Sequence, residues 1–494
     1  MVIDARSVSD RSEIECDVCI VGAGPAGITV ARELETGGLR TCLLEGGGLK
    51  REEPTQALNE GESAGGRYRI GGYAPAHALG ISRLRQLGGA SNHWAGWCRP
   101  FDELDFEERS GVPDSGWPID RAELMPYYRR AQDVCQLGPF EYSAPRWARS
   151  TRTTPLPLTE PLASAIYQIS NRPRFAEVYG PGLRRSRSIR LVLHANAIGL
   201  GTNRDGSRVE RVRVATLTGR RFDVRARRFV LATGGIENSR LLLASNDVRP
   251  RGLANDHDVV GRYFADHPHA VVANFAYPDD VGFDFYTVRK ARGATLLGAL
   301  VTTERFARSE RLLRITATFQ APRAKTPLDA GVLELLRGAN GDRARGRMGA
   351  MYVRSEMAPD RRNRVTLATQ RDPFGFARAR VDWRMRDLER RSIERSLEVT
   401  ARAFGRSLGA RVFSATAHDE RAWSEFGGGN HHMGTTRMHR SPRHGVVDAD
   451  CRVHGVPNLF VAGSSVFPTS GWANPTLTIV ALALRLARTL RSEA

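Results

Sequence analysis

Lysine is almost missing from this 494-residue chain: of 73 basic residues only Lys50, Lys290 and Lys325 are lysine, and arginine supplies the rest of a formal net charge of +19. The arginines are scattered among acidic residues through apparent strands, helices and loops, so the charge does not form the basic stripe that a nucleic-acid face requires. The run from Arg220-Arg221 to Arg227-Arg228 reads as the solvated face of a hairpin, and no nucleic-acid partner is expected. Long apolar runs are missing too. No stretch approaches the roughly twenty apolar residues that span a bilayer, and residues 1–15 are polar where a secretory leader would be apolar; no membrane partner and a cytoplasmic location are expected. The six cysteines, at 16, 19, 42, 98, 135 and 451, lack the spacing of a disulfide framework. Cys16-Asp-Val-Cys19 has the spacing of a redox or zinc pair, but it opens an apolar strand and no second such pair follows, so no metal is expected. Length alone points to two intertwined domains.

What the chain does have is glycine in informative places. The apolar run Cys16 to Val21 feeds into Gly22-Ala-Gly24-Pro-Ala-Gly27 and then into an amphipathic helix from Ile28. In such a strand, turn and helix, Gly22 permits the tight turn, Gly24 lets backbone approach a pyrophosphate, and Gly27 lets helix and strand pack closely. The helix N-terminus offers free N–H groups to the anion. The next apolar strand, Thr41-Cys-Leu-Leu-Glu45, ends in an acid at the spacing that grips a ribose 2′-hydroxyl. An acid with no phosphate-binding arginine beside it favours an adenosine ribose without a 2′-phosphate. This fingerprint serves NAD and FAD alike. Two later returns to the same domain, Val230-Leu-Ala-Thr233-Gly-Gly235 and Asn458-Leu-Phe-Val-Ala-Gly463-Ser464-Ser465, give the discontinuous arrangement of a flavoprotein, and FAD is the expected cofactor.

The chain resembles the glucose–methanol–choline (GMC) oxidoreductases over most of its length. The segments that carry the resemblance are Gly22 to Gly27 with Glu45; Arg83-Leu-Arg85-Gln-Leu-Gly88-Gly89-Ala-Ser91-Asn92-His93-Trp94; Gly116-Trp117-Pro118-Ile119; Val260-Gly261-Arg262 with Asp266-His267; and the C-terminal block. It is nearest the branch of pyranose oxidase and bacterial sugar or polyol oxidoreductases. The resemblance implies an α/β fold. Its Rossmann-like FAD-binding domain is built from residues 1–120, 190–270 and 425–494, and an α+β substrate-binding domain with an antiparallel sheet from 121–189 and 271–424. Alternation over Arg314–Gln320 and Ala377–Trp383 fits strands of that sheet, with a helix over 388–408 behind it. The Gly-Arg-rich stretch 337–349 reads as a loop.

The resemblance also assigns a reaction centre. Removing hydride from an alcohol carbon needs a base for the hydroxyl proton, and imidazole suits that task near neutral pH. Aligned on Gly434-Thr435, His431 matches the family's catalytic histidine, and its neighbour His432 is the less favoured base because adjacent side chains of an extended segment point apart. Asn474 matches a position that binds the substrate oxygen, while Asn followed by Pro475 is equally a good helix N-cap. The helix start near Pro475 and Thr476 would face the flavin and stabilise its reduced anion. Arg83, Gly88, Gly89, Ser91, Asn92, Val192, Thr233, Gly463 and Ser464 complete the expected cofactor contacts. His93 stands where some relatives bond the flavin covalently; a histidine packed beside the ring is the other reading. The implied activity is oxidation of an alcohol on a small sugar-like molecule, by hydride transfer to flavin N5, with oxygen or another acceptor reoxidising the cofactor. A paromamine-type 6′-hydroxymethyl is one candidate, a sugar C2/C3 oxidase or polyol dehydrogenase another, and a flavoprotein lyase or isomerase the reading from a different class. Oligomeric state has no signature in the sequence.

Overall fold

Among the described residues, six strands run parallel in the first sheet. In the computed structural model, which describes residues 1–66, 68–69, 79–321, 334, 346–417 and 420–493, their order is Val2–Asp4, Ile189–Leu193, Thr41–Leu44, Glu13–Val21, Arg221–Leu231 and Leu459–Val461. Runs such as Cys19-Ile20-Val21, Phe229-Val230-Leu231 and Leu459-Phe460-Val461 are almost wholly buried, as strands covered on both faces must be. Arg221–Leu231 changes partner part-way along one edge. Its first half pairs antiparallel with Val209–Ala215, and its last residues pair parallel with Leu459–Val461. The arginine run from 220 therefore lies on a hairpin, where Arg225 pairs with Glu13 at 3.1 Å and Arg211 with Asp223 at 3.2 Å.

Helices Pro25–Glu35, Thr476–Ser492 and Arg121–Val134 stack in succession beside this sheet. All six cysteines are free and buried.

The second sheet is antiparallel and nine-stranded, built around Pro268–Pro278, Gly346–Ser355, Ile315–Gln320, Ala294–Thr302 and Leu162–Ile169. Helix Asp387–Leu408 covers one face, where Ile393, Leu397 and Phe404 join a cluster with Phe275, Met351 and Val353. Two expectations change here. The strand Ala377–Asp382 pairs with Arg364–Arg371 and Gly61–Ser63 in a separate three-stranded sheet against helix Gly234–Ala244, because alternation reveals a strand but not its partner. The stretch expected as a loop enters strand Gly346–Ser355 at 346, since its last residues register with Tyr277 and Pro278; residues 337–345 lie outside the described residues.

Candidate active site

The C-terminal ends of the parallel strands open onto one cavity of about 580 Å³, lined from Val21, Leu44, Ala232 and Gly463 on one side and from His269, Tyr352 and Arg354 of the second sheet on the other. Ligands of open α/β sheets bind at such strand ends. The glycines of the first turn differ in the space around them. Gly22 has φ +103°, and a Cβ there would press on the Ala232 carbonyl; a Cβ on Gly27 would overlap the Gly22 carbonyl; Gly24 has nothing within 4 Å and faces open space. The loop of Gly88 and Gly89, both at positive φ, lies on this turn through Gly88 N–H to the Ala23 carbonyl at 2.8 Å. Ser91 braces the loop by donating to the Gly88 carbonyl at 2.7 Å.

Glu45 is buried on the cavity wall and accepts from the backbone N–H groups of Ala23 at 3.1 Å and Gly47 at 2.9 Å. Burial pushes its pKa up against those two amides. An arginine does stand near it after all. Arg85 is fully engaged, however, donating to Asn59 at 2.8 Å, Asn196 at 3.2 Å and Glu237 at 2.9 Å. Arg83 also grips Glu237, at 2.5 Å. Although burial opposes it, the guanidiniums of Arg240, Arg83 and Arg85 hold the Glu237 carboxyl well below the usual range. This ion cluster stiffens the wall next to Thr233, whose N–H and hydroxyl both reach Asn238 Oδ1.

Four expected cofactor residues stand back from the cavity: Gly27, packed against Gly22 as described, and Val192, Gly88 and Asn92. Val192 is buried inside strand Ile189–Leu193, and the wall is made instead by Ala195, Asn196 and Ala197 beyond that strand's end. Gly88 serves the loop geometry just described. Asn92 turns its amide inward to the carbonyls of Leu87 and Gly89, at 2.9 Å each. His93 is exposed to the cavity, and Ser464 Oγ donates to the His432 carbonyl at 2.6 Å.

The densest chemistry surrounds His431. Its Nδ1 lies 2.7 Å from Nδ1 of His267, while His267 Nε2 lies 2.7 Å from the carbonyl oxygen of Gly471. A carbonyl only accepts, so His267 carries its proton on Nε2 and offers Nδ1 as an acceptor. His431 must then donate from Nδ1, which leaves its Nε2 as a lone pair on the cavity wall. Asn474 Nδ2 approaches that lone pair at 3.2 Å, and Asn474 Oδ1 accepts from Arg354 Nη1 at 2.8 Å. The helix starts after Pro475, which occupies the cap position, so the Asn474 amide is used by His431 and Arg354 and not as a cap. Burial, followed by the neighbouring His267 and Arg354, holds the His431 pKa well below its ordinary value. Burial likewise lowers His267 to about 4.

His432 points elsewhere. Its Nε2 meets Tyr68 Oη at 2.8 Å, and Tyr68 donates to Asp266 Oδ2 at 2.7 Å. The other oxygen of Asp266 accepts the backbone N–H groups of Gly429 and His431, each at 2.9 Å, so one carboxylate fixes the segment that presents both histidines. Burial raises that carboxyl to about 6. Tyr68, His267 and Arg354 had no assigned role from sequence, although Asp266-His267 was already a visible pair.

The residues fit FAD: an open glycine turn with a helix N-terminus behind it, a buried acid at the second strand, and a second helix N-terminus at Thr476 on the same cavity. Comparison with known proteins agrees. The GMC oxidoreductase family model matches residues 359–483, and an FAD binding domain model matches residues 15–58. The chain is similar to the fructose dehydrogenase large subunit of Gluconobacter japonicus (25% identical, covering 97% of this chain and 98% of that one). It is also similar to paromamine 6'-oxidase of Streptomyces fradiae (26% identical, 97% and 91%). The crystal structure of pyridoxine 4-oxidase from Mesorbium loti shares the fold with a TM-score of 0.62 at 20% identity, over 96% of this chain and 99% of that one.

Proposed function

From the premise that this chain belongs to the GMC oxidoreductase family, binds FAD and acts on CH–OH groups, we propose that His431 is the base and Asn474 the substrate-orienting amide in oxidation of a sugar-like or specialised-metabolite alcohol. The observation that carries this reading is the unprotonated Nε2 of His431, left facing the cavity beside the Asn474 amide. An alcohol hydroxyl bound between them would give its proton to Nε2 as the carbon loses hydride, while Asn474 Nδ2 donates to the oxygen and stabilises its developing charge. FAD supplies the hydride acceptor. A neutral imidazole held in a dry wall is ready for this at any pH above its lowered pKa.

Glu45 would hold the adenosine ribose, and the open edge of Gly24 would meet the pyrophosphate. The first amides of helix Thr476–Ser492 would lie against the flavin. His93 reaches the cavity, as either a bonded or an unbonded neighbour of the flavin requires. Trichloroacetic acid separates these: a histidyl link keeps the yellow colour in the precipitate, and a packed histidine releases it.

Within the substrate class, similarity to paromamine 6'-oxidase supports a paromamine-type 6′-hydroxymethyl. The buried guanidinium of Arg354 beside Asn474 opposes it, because an amine-rich substrate would meet like charge; we therefore favour neutral or acidic sugar-like alcohols. The test is an anaerobic titration of the yellow protein with sugars, polyols, sugar acids and aminoglycosides while flavin absorbance is followed. Bleaching by one class supports alcohol oxidation and names the substrate. Bound FAD that no alcohol bleaches would instead favour chemistry without net redox change.

A further inference from the structure

Beyond Asn474 the cavity wall holds a positive charge with no counter-charge. Arg354 is 8% exposed, lines the cavity, and among the described residues has no carboxylate within 4 Å. Its Nη1 donates to Asn474 Oδ1 at 2.8 Å, its guanidinium lies 5.3 Å from the Trp97 ring centroid, and its Nε has no partner among the described residues. The buried arginines Arg109, Arg240 and Arg314 each face a carboxylate: Glu356, Asp372 and Asp102 respectively. Arg437, which faces none among the described residues, donates to the Asp114 carbonyl and does not line the cavity. A buried guanidinium without an anion is costly, and one kept at a ligand site points to an anion that arrives with the ligand.

Its neighbours fit that reading. His269 sits directly across the strand pair from Arg354, and its buried Nδ1 has no partner among the described residues. Its ring contacts Tyr352, with centroids 5.2 Å apart, and both side chains line the same cavity. Burial, followed by Arg354, holds His269 down to about 3, so it is neutral and adds hydrogen bonding without a second positive charge. One fixed charge matches a singly charged carboxylate better than a doubly charged phosphate, and the planar guanidinium suits a carboxylate geometrically.

We propose that Arg354, with His269 and Tyr352 beside it, is a carboxylate subsite, and that the alcohol oxidised here is a hydroxy acid or sugar acid. This rests on the alcohol-oxidation reading above.

The experiment titrates the anaerobic yellow holoenzyme with D-glucuronate and D-gluconate, and in parallel with D-glucose and D-glucitol, following both perturbation and bleaching of the flavin spectrum. The expected result is a midpoint for the acids about tenfold or more below that of their neutral counterparts, the scale of one charge-assisted hydrogen bond. In Arg354→Gln the ratio of midpoints collapses toward one, and in Arg354→Lys, which keeps the charge, part of it remains. Equal midpoints in the wild type, no response to either acid, or a preference that survives Arg354→Gln overturns the proposal. The wild-type comparison decides this even where a variant loses FAD. Acids that perturb the spectrum without bleaching it would keep the subsite and count against alcohol oxidation. Bleaching by neutral sugars at equal midpoints would do the reverse.

Discussion

His267 and His431 meet Nδ1 to Nδ1 at 2.7 Å, and the carbonyl of Gly471 on the far side of His267 dictates which of them donates. The proton that this contact places on His431 Nδ1 is what frees Nε2. His267→Phe removes the acceptor and allows the other tautomer, so flavin reduction should slow by about ten- to a hundredfold, within the range that general-base catalysis contributes. His267→Gln, whose amide oxygen can accept, should recover part of the rate. Stopped-flow reduction measures both, and a His267→Phe enzyme at wild-type speed would show that tautomer control is unnecessary.

His431→Ala should cost more, about 10²–10⁴-fold in flavin reduction, with FAD still bound. His432→Gln should cost far less, since His432 is committed to Tyr68 and its network anchors the segment. If the two variants exchange these effects, the base is His432.

Gly27→Ala sets a Cβ against the Gly22 carbonyl, backbone against backbone, where nothing can rotate away. The turn must then open. The variant should purify with little FAD, measured as the ratio of flavin to protein absorbance; full yellow occupancy would mean that the turn is more pliant than its geometry implies.

Four imidazoles on or behind the cavity wall shape the acid response. His267 is lowered to about 4, His269 and His432 to about 3, and His431 well below its ordinary value, in each case first by burial. Their folded pKa values lie below the unfolded value of roughly 6.5, so as pH falls through 6.5 the unfolded chain binds protons that the folded chain refuses. These imidazoles therefore remove stability as pH falls from about 6.5 towards 3. Buried carboxyls work the other way: burial raises Asp266 to about 6, Glu389 to about 7 and Asp105 to about 8, and raises Glu45 as well, so the folded chain takes up protons there that the unfolded chain does not. Replacing one imidazole isolates its share: in His269→Phe the melting temperature should fall less, or rise more, between pH 7 and 5 than in the wild type. Identical pH slopes in the two proteins would refute it.

Sequence was most legible where a single backbone turn sets the geometry. Gly22, Gly24 and Gly27 act within a few residues, so their spacing states their purpose. His431 and Asn474 were singled out through resemblance, and the structure brings them within 3.2 Å across 43 residues of chain. The rest depends on pairing that no local pattern encodes. Arg354 lies on the cavity wall opposite His269 in the second sheet, and Tyr68 enters the site's network through Asp266 and His432. Val192 was misplaced for a related reason: an apolar strand shows its burial but not the point where it ends and the wall begins.

The strand Arg221–Leu231 exchanges partners along one edge, and its last three residues wait for Leu459–Val461. During synthesis that edge stays open while more than two hundred residues are made, and Asn474 with the helix at Thr476 comes later still. No flavin can be enclosed before then. Contacts so distant in sequence are slow to form, and an unpaired apolar edge is what holdase chaperones cover and what aggregates when they are absent. Chains stalled before residue 459 should thus emerge colourless and chaperone-bound, their half-made pocket a liability to the cell.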